Sequence, residues 1–182
     1  MKTTVGVLGP SAIWDSQMEE LAIRTGMLIA QRGAILITGA TTGYSFAAAR
    51  GASAAGGEVI GFSPAFNRKD HVARGLPVTD HSLIVYTGLS SHGRNLLNVR
   101  ASNAAVFIGG SMGTLNEFTM AYDEEKIIGI LEGSGGFCNH MKEWMLVLAK
   151  PGNRSIIHYA ANPDRLLDQV FASIRGSFTH LE

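Results

Sequence analysis

The strongest constraint on this chain's fold is a repeated change of period along it. Apolar runs of six or seven residues, such as "AILITG" (34–39), "AAVFIGG" (104–110) and "KIIGILE" (126–132), alternate with longer stretches in which apolar residues recur at helical spacing. Strands are expected at 3–9, 34–39, 58–63, 82–88, 104–110, 126–132 and 155–160. Helices are expected at 13–31, 45–57, 91–102, 114–122, 139–149 and 163–175. Strands that alternate with helices pair in parallel, because each return to the sheet needs a crossover. The 104–110 run is nearly all apolar, as a central strand covered on both faces must be. The prediction is an α/β, three-layer domain spanning 1–182. Its mostly parallel twisted sheet has about six or seven strands, with helices on both faces. The 64–80 stretch, with two prolines and mixed charge, reads as a long, partly irregular connection, a length that usually carries function or disorder. The first helix is expected to bury Ile13, Leu21, Ile23, Met27, Leu28 and Ile29, and the Ala-rich 45–57 helix to pack closely on the sheet.

Composition then removes several classes of function. Fifteen basic residues balance fifteen acidic ones with no basic block, so no nucleic-acid partner is expected and any anion site must be local. No apolar run approaches the ~20 residues that span a bilayer, so no membrane partner is expected. The chain enters a strand at once without a secretory signal, and its single cysteine, Cys138, excludes an intramolecular disulfide; both suit a cytoplasmic protein. Cys138 reads as a small buried residue rather than a nucleophile. The six histidines are scattered without metal-ligand spacing, and neither a metal nor a cofactor is expected. The terminal Leu181-Glu182 pair carries no weight in the reading.

In open α/β sheets, ligands bind beyond the carboxyl ends of the strands. Three turns there are small and hydroxyl-rich: "GPSAIWD" (9–15), "GATTGYS" (39–45) and "GGSMGT" (109–114). The last two open helices, whose free N–H groups and partial positive charge favour a phosphate. The candidate ligand-binding residues are therefore Gly9, Ser11, Gly39, Thr41, Thr42, Gly43, Gly109, Gly110, Ser111, Met112, Gly113 and Thr114, with Asn95 added from the neighbouring helix. G-x-G-x-x-G and G-x-x-x-x-G-K-[ST] are both absent, which argues against a dinucleotide site and a P-loop. Thr114 and Glu117 fit T-x-x-E, so they make a capping box, a ligand-facing carboxylate, or both. Arg94 lies next to the end of the fourth strand and can reach the same edge; Arg100, two turns on, reads as structural and His92 as a solvated loop residue.

Four stretches in order, "VGVLGPS", "LITGATTGYSFAAARGASAAGGEVIGFSP", "GRNLLNVRASNAAVFIGGSMGTLNE" and "IIGILEG", resemble the Rossmann-like superfamily of the Lonely Guy cytokinin-activating phosphoribohydrolases, often labelled "possible lysine decarboxylase". The resemblance covers about residues 4–133. That family's P-G-G-x-G-T-x-x-E aligns with Gly109 to Glu117, with Gly109 for the proline and Ser111 for the second glycine. Its arginine–lysine pair aligns with Arg94-Asn95, so the lysine is replaced. Its G-G-G-x-G-x-M loop aligns with Gly39 to Ser45, where Ala40 or Thr41 is expected to crowd a close ligand. None of the five lysines sits in a glycine-rich cup, so decarboxylation through a pyridoxal Schiff base is not expected.

The resemblance implies hydrolysis of the N-glycosidic bond of a nucleoside 5′-monophosphate, with Glu117 and Arg94 as catalytic residues. The departures from the motif leave a second reading open, a non-catalytic nucleotide-binding or sensor protein. Either has a phosphorylated small molecule as partner, and the family implies a homodimer or higher homo-oligomer. The base-recognition pocket would involve the 64–81 stretch, which the sequence does not resolve.

Overall fold

The computed structural model describes residues 2–178, so Leu181 and Glu182 lie outside the described residues. Seven parallel strands form one sheet: β1 (Thr4–Leu8), β2 (Ile35–Thr38), β3 (Val59–Ser63), β4 (Leu83–Tyr86), β5 (Ala104–Ile108), β6 (Ile127–Leu131) and β7 (Ile156–Ala160). Their order is β4-β3-β2-β1-β5-β6-β7. The helices are α1 (Ser16–Gln31), α2 (Tyr44–Ala54), α3 (Arg68–Ala73), α4 (Ser90–Arg100), α5 (Met112–Asp123), α6 (Met141–Leu148) and α7 (Pro163–Phe178). A 3₁₀ turn at Gly136–Asn139 precedes α6.

Alternation along each strand divides the core. Val5, Val7, Leu36, Val106 and Ile108 pack with α1, α2 and α7 on one face. Leu8, Ala105, Phe107, Ile128 and Ile130 pack with Val99 of α4 and Phe118, Ala121 and Tyr122 of α5 on the other. The arrangement is the three-layer Rossmann-like α/β fold that the periodicity predicts. Every residue of β5 and β6 is buried, as continuous apolar runs require at the sheet centre.

Two local expectations are corrected and two are sharpened. Helix α1 starts at Ser16, not near Ile13, because the Asp15 carboxylate accepts the Gln17 and Met18 N–H groups as N-cap; Ile13 is 43% exposed in the preceding loop. The closest packing of α2 is on α1. A Cβ at Gly26 would stand 1.8 Å from the Ala48 carbonyl oxygen, and one at Gly51 1.9 Å from that of Ile23, so the two helices meet backbone to backbone. The 64–80 connection contains α3, capped by Asn67, whose side chain accepts the Asp70 N–H. It also buries His71, which bonds Ser63 Oγ and the Pro77 carbonyl. Finally, α5 begins at Met112, two residues before the expected start.

The site follows from the strand order. The chain builds outward from β1 through β2, β3 and β4, then returns to place β5 on the other flank of β1. The connections after β1 and β5 therefore diverge, and a crevice opens at the carboxyl ends of these two strands.

Candidate functional site

The crevice has a volume of about 240 Å³. Gly9, Pro10 and Ser11 after β1, Thr41 after β2, and Ser91, His92, Arg94 and Asn95 from α4 form part of its lining. Ser111, Gly113, Thr114 and Glu117, at the start of α5, complete it. Among the described residues, its charged or titratable side chains are Arg94, Glu117 and His92.

The first two turns hold each other. Gly43, at φ +85°, lies so close to the first turn that a Cβ would stand 1.9 Å from the Pro10 carbonyl oxygen. Thr42 Oγ1 donates to the Ser11 carbonyl at 2.6 Å, and Tyr44 Oη accepts the Trp14 and Asp15 N–H groups, each at 3.2 Å. Thr42 and Gly43 thus shape the loops and lie outside the crevice lining. Ala40 adopts φ +48°, with its N–H donated to Thr38 Oγ1. Its methyl turns toward β3, where a Cβ at Gly61 would come within 2.8 Å of it. The expected crowding by Ala40 is therefore corrected: its side chain points into the sheet rather than at a ligand. Thr41 does line the crevice.

The third turn is fixed from behind. Gly109 (φ +65°) donates its N–H to Ser134 Oγ at 2.7 Å, and Gly110 (φ +135°) accepts the Phe137 N–H at 3.3 Å. A Cβ at Gly110 would lie 2.2 Å from the Phe137 ring. Cys138 donates its S–H to the Gly109 carbonyl, and burial pushes its thiol up to about 12. Gly109 and Gly110 therefore face the loop before α6, outside the crevice lining, and Met112 is 79% exposed and also outside it.

The T-x-x-E pattern does not form a capping box. Ser111 is the N-cap of α5, its side chain makes no capping bond, and the first helical bond runs from Leu115 N–H to Ser111 O. The N–H groups of Met112, Gly113 and Thr114 have no partners among the described residues, and Gly113 and Thr114 line the crevice. Glu117 points away from them. Its Oε1 accepts from Arg94 Nη1 at 3.2 Å and from Asn98 Nδ2 at 2.9 Å, while Oε2 accepts no bond among the described residues.

Arg94 and Glu117 are 7% and 5% exposed. Desolvation raises the Glu117 carboxyl to about 6, against the opposing pull of Arg94 and Asn98. Desolvation also lowers Arg94, partly offset by Glu117. The guanidinium lies flat on the second turn, where a Cβ at Gly39 would stand 2.4 Å from its central carbon. It also donates to Asn95 Oδ1 at 3.2 Å, and Asn95 is held in turn by its Nδ2 bond to Asn116 Oδ1. Arg100 pairs with Glu124 at the surface. Among the described residues, no group of three or more His, Cys, Asp or Glu side chains is placed to hold a metal ion, and no helix is long and apolar enough to cross a membrane.

Sequence reasoning missed Ser45, Asn98 and Ser134. Asn98 supplies the second bond to Glu117, and its i, i+4 relation to Arg94 was a readable signal. Ser134 braces a turn from 25 residues away and left no local signal.

The chain is 33% identical over 128 residues, 70% of its own length, to an uncharacterized protein of Archaeoglobus fulgidus, and the match covers 79% of that protein. Its fold is similar to that of the molybdenum cofactor binding protein from the phototrophic bacterium Rippkaea orientalis, with TM-score 0.79 and 25% identity over 96% of this chain and 98% of the other. It is also similar to the molybdenum cofactor carrier protein from Chlamydomonas reinhardtii, with TM-score 0.76 and 27% identity over 94% and 99%. Residues 2–167 match the SLOG cluster4 family, and the chain therefore belongs to that family, within the superfamily of Lonely Guy-type proteins that its motifs resemble.

Proposed function

We propose that the crevice binds a phosphorylated small molecule and holds it without breaking it, and that a phosphopterin of the molybdenum cofactor type is the ligand class to test first. The observation that carries this reading is the uncapped start of α5. The Gly113 and Thr114 N–H groups, unpartnered among the described residues, and the Ser111 and Thr114 hydroxyls meet at a topological switch point, which is the chemistry of a phosphate site. Two carrier or binding proteins of similar fold, matched over nearly their whole length, support the ligand class. The catalytic equipment is thin: Glu117 is the one carboxylate that the described residues bring to the crevice, and one of its oxygens is spent on Arg94 and Asn98. Glycoside hydrolysis commonly divides its work between two carboxylates. Gly9, Ser11, Thr41, Asn95, Ser111, Gly113 and Thr114 are the proposed ligand contacts.

A second reading is favoured by one observation. Glu117 Oε2 has no partner, and a carboxyl near 6 is suited to acid–base work at neutral pH. In that reading the protein is a nucleoside 5′-monophosphate phosphoribohydrolase, with Glu117 and Arg94 catalytic. The test incubates the purified protein with a panel of nucleoside 5′-monophosphates and, separately, with molybdenum cofactor released from a molybdoenzyme. Retention of fluorescent oxidised pterin through gel filtration, with no free base from any nucleotide, is the expected result. Free base released by the wild type and not by Glu117→Gln would establish the hydrolase instead.

The proposed homo-oligomer is supported by α6, where Leu146, Val147 and Leu148 are 88%, 83% and 65% exposed beside an apolar groove that includes Phe118, Trp144 and Met145. Light scattering would show a dimer or larger, and Leu146→Glu/Val147→Glu a monomer. A single buried thiol fits the cytoplasmic setting proposed for the protein.

A further inference from the structure

A second, much smaller pocket of about 20 Å³ adjoins the crevice and shares Gly9, Thr41, Arg94 and Glu117 with it. The Thr41, Ser45, Arg94 and Glu117 side chains wall it, between the Gly9 and Gly39 backbones. Three polar atoms of these walls lack protein partners among the described residues. Ser45 is 3% exposed on the first turn of α2, and its hydroxyl makes no hydrogen bond. Arg94 Nε is buried with no acceptor, and Glu117 Oε2 accepts no donor. A water needs roughly 10–15 Å³ and two to four polar partners. The cavity meets both conditions and is too small for a ligand group larger than a hydroxyl.

We propose that this small pocket is a fixed water site, built by Ser45, which hydrates the Glu117–Arg94 pair on its α2 side and so sets the charge of the crevice floor. The water accepts from Arg94 Nε, donates to Glu117 Oε2 and takes its remaining bonds from Ser45 and Thr41. The other groups facing Glu117 are Asn98 and Arg94 on α4, and His92 across the crevice; α2 and the turns after β1 and β2 bring no charge to it. Ser45 is a positioning residue, since it acts on a ligand only through Glu117.

The experiment follows the Glu117 carboxyl by carbon NMR across pH in the full chain. Ser45→Val fills the pocket, and the Glu117 midpoint is expected to rise from about 6 to 7 or above. Ser45→Ala, which keeps the volume and removes one partner, is expected to raise it by less. A midpoint unchanged in both variants overturns the inference. So does a high-resolution crystal structure of the unmodified protein with no ordered water between Ser45 Oγ and Glu117, a measurement that stands even if Ser45→Val does not fold. The effect on binding rests on the anion crevice proposed above, and sulfate, which keeps its charge across this range, is the probe. A midpoint moved from 6 to 7 changes the protonated fraction at pH 7 from about 0.09 to 0.5, so sulfate should bind about fivefold more tightly. A shifted midpoint with unchanged sulfate affinity would uphold the water site and remove the anion from the crevice.

Discussion

The Arg94–Glu117 pair allows an unequal prediction for its two halves. Both side chains are under a tenth exposed, at 9% and 6%. Removing either leaves a buried charge, but only one of these charges can escape. In Arg94→Met at pH 7, Glu117 can take up a proton. From an ordinary carboxyl at 4.5 that costs about 2.5 pH units, or roughly 3 kcal/mol, as a ceiling. With its carboxyl near 6 the folded protein already bears about 1.5 units, roughly 2 kcal/mol, so the added electrostatic cost is on the order of 1 kcal/mol. The lost charge-assisted hydrogen bond adds about 1.5–3 kcal/mol. Arg94→Met should therefore cost about 3–4 kcal/mol, near 6–16 °C in melting temperature for a domain of this size. In Glu117→Leu the guanidinium cannot shed its proton, and the cost should reach the upper part of the ~3–5 kcal/mol range for a broken buried pair. The double variant Arg94→Met/Glu117→Leu removes both charges and should return to within about 1 kcal/mol of wild type. Urea unfolding of all four proteins at pH 7 measures each value. A cost under 1 kcal/mol for Arg94→Met, or a double variant whose loss is the sum of the singles, would refute the treatment of this pair as buried and coupled.

Further outcomes follow from the same geometry. Because the Glu117 carboxyl is raised in the folded state, its contribution to stability is fully present below about 4.5 and is lost as pH rises through about 6; the gap in unfolding free energy between wild type and Glu117→Gln should change by about 2 kcal/mol over that window. Gly51→Ala should destabilise by at least about 1–3 kcal/mol, against the sign of helix propensity, because the added methyl meets the Ile23 carbonyl oxygen; a neutral or stabilising result in urea would contradict the close α1–α2 approach. Ser134→Ala leaves the Gly109 N–H without its acceptor and should weaken sulfate binding several-fold in calorimetry, with an unfolding cost of about 1–3 kcal/mol. Ser111→Ala should barely change stability, since Ser111 makes no capping bond, while lowering sulfate affinity.

Particular elements show where the sequence was legible. The strands were read to within one or two residues because each is a short apolar run, and burial on both faces demands that pattern at the sheet centre. The start of α5 was misread because T-x-x-E carries the same letters whether or not it caps. Asn98 takes one place at the Glu117 carboxylate and Arg94 another, and both reach it from a helix 19 to 23 residues earlier in the chain. Helix α3 was hidden because it is only six residues long and its buried His71 draws on contacts with Ser63 and Pro77 rather than on an amphipathic run.

By itself, then, the sequence determined the layers of this protein, the parallel sheet and the three turns that crowd one edge of it. These follow from periodicity and turn chemistry, which act over a few residues and leave their mark in the order of the letters. The tertiary structure alone decided which atoms of those turns face a ligand. Ala40 turns inward against Gly61, Gly109 and Gly110 turn back onto Ser134 and Phe137, and Glu117 turns from its own helix end to Arg94 and Asn98. Those choices are made by partners distant in sequence that compete for the same hydrogen bonds and the same space, and only packing brings them within reach.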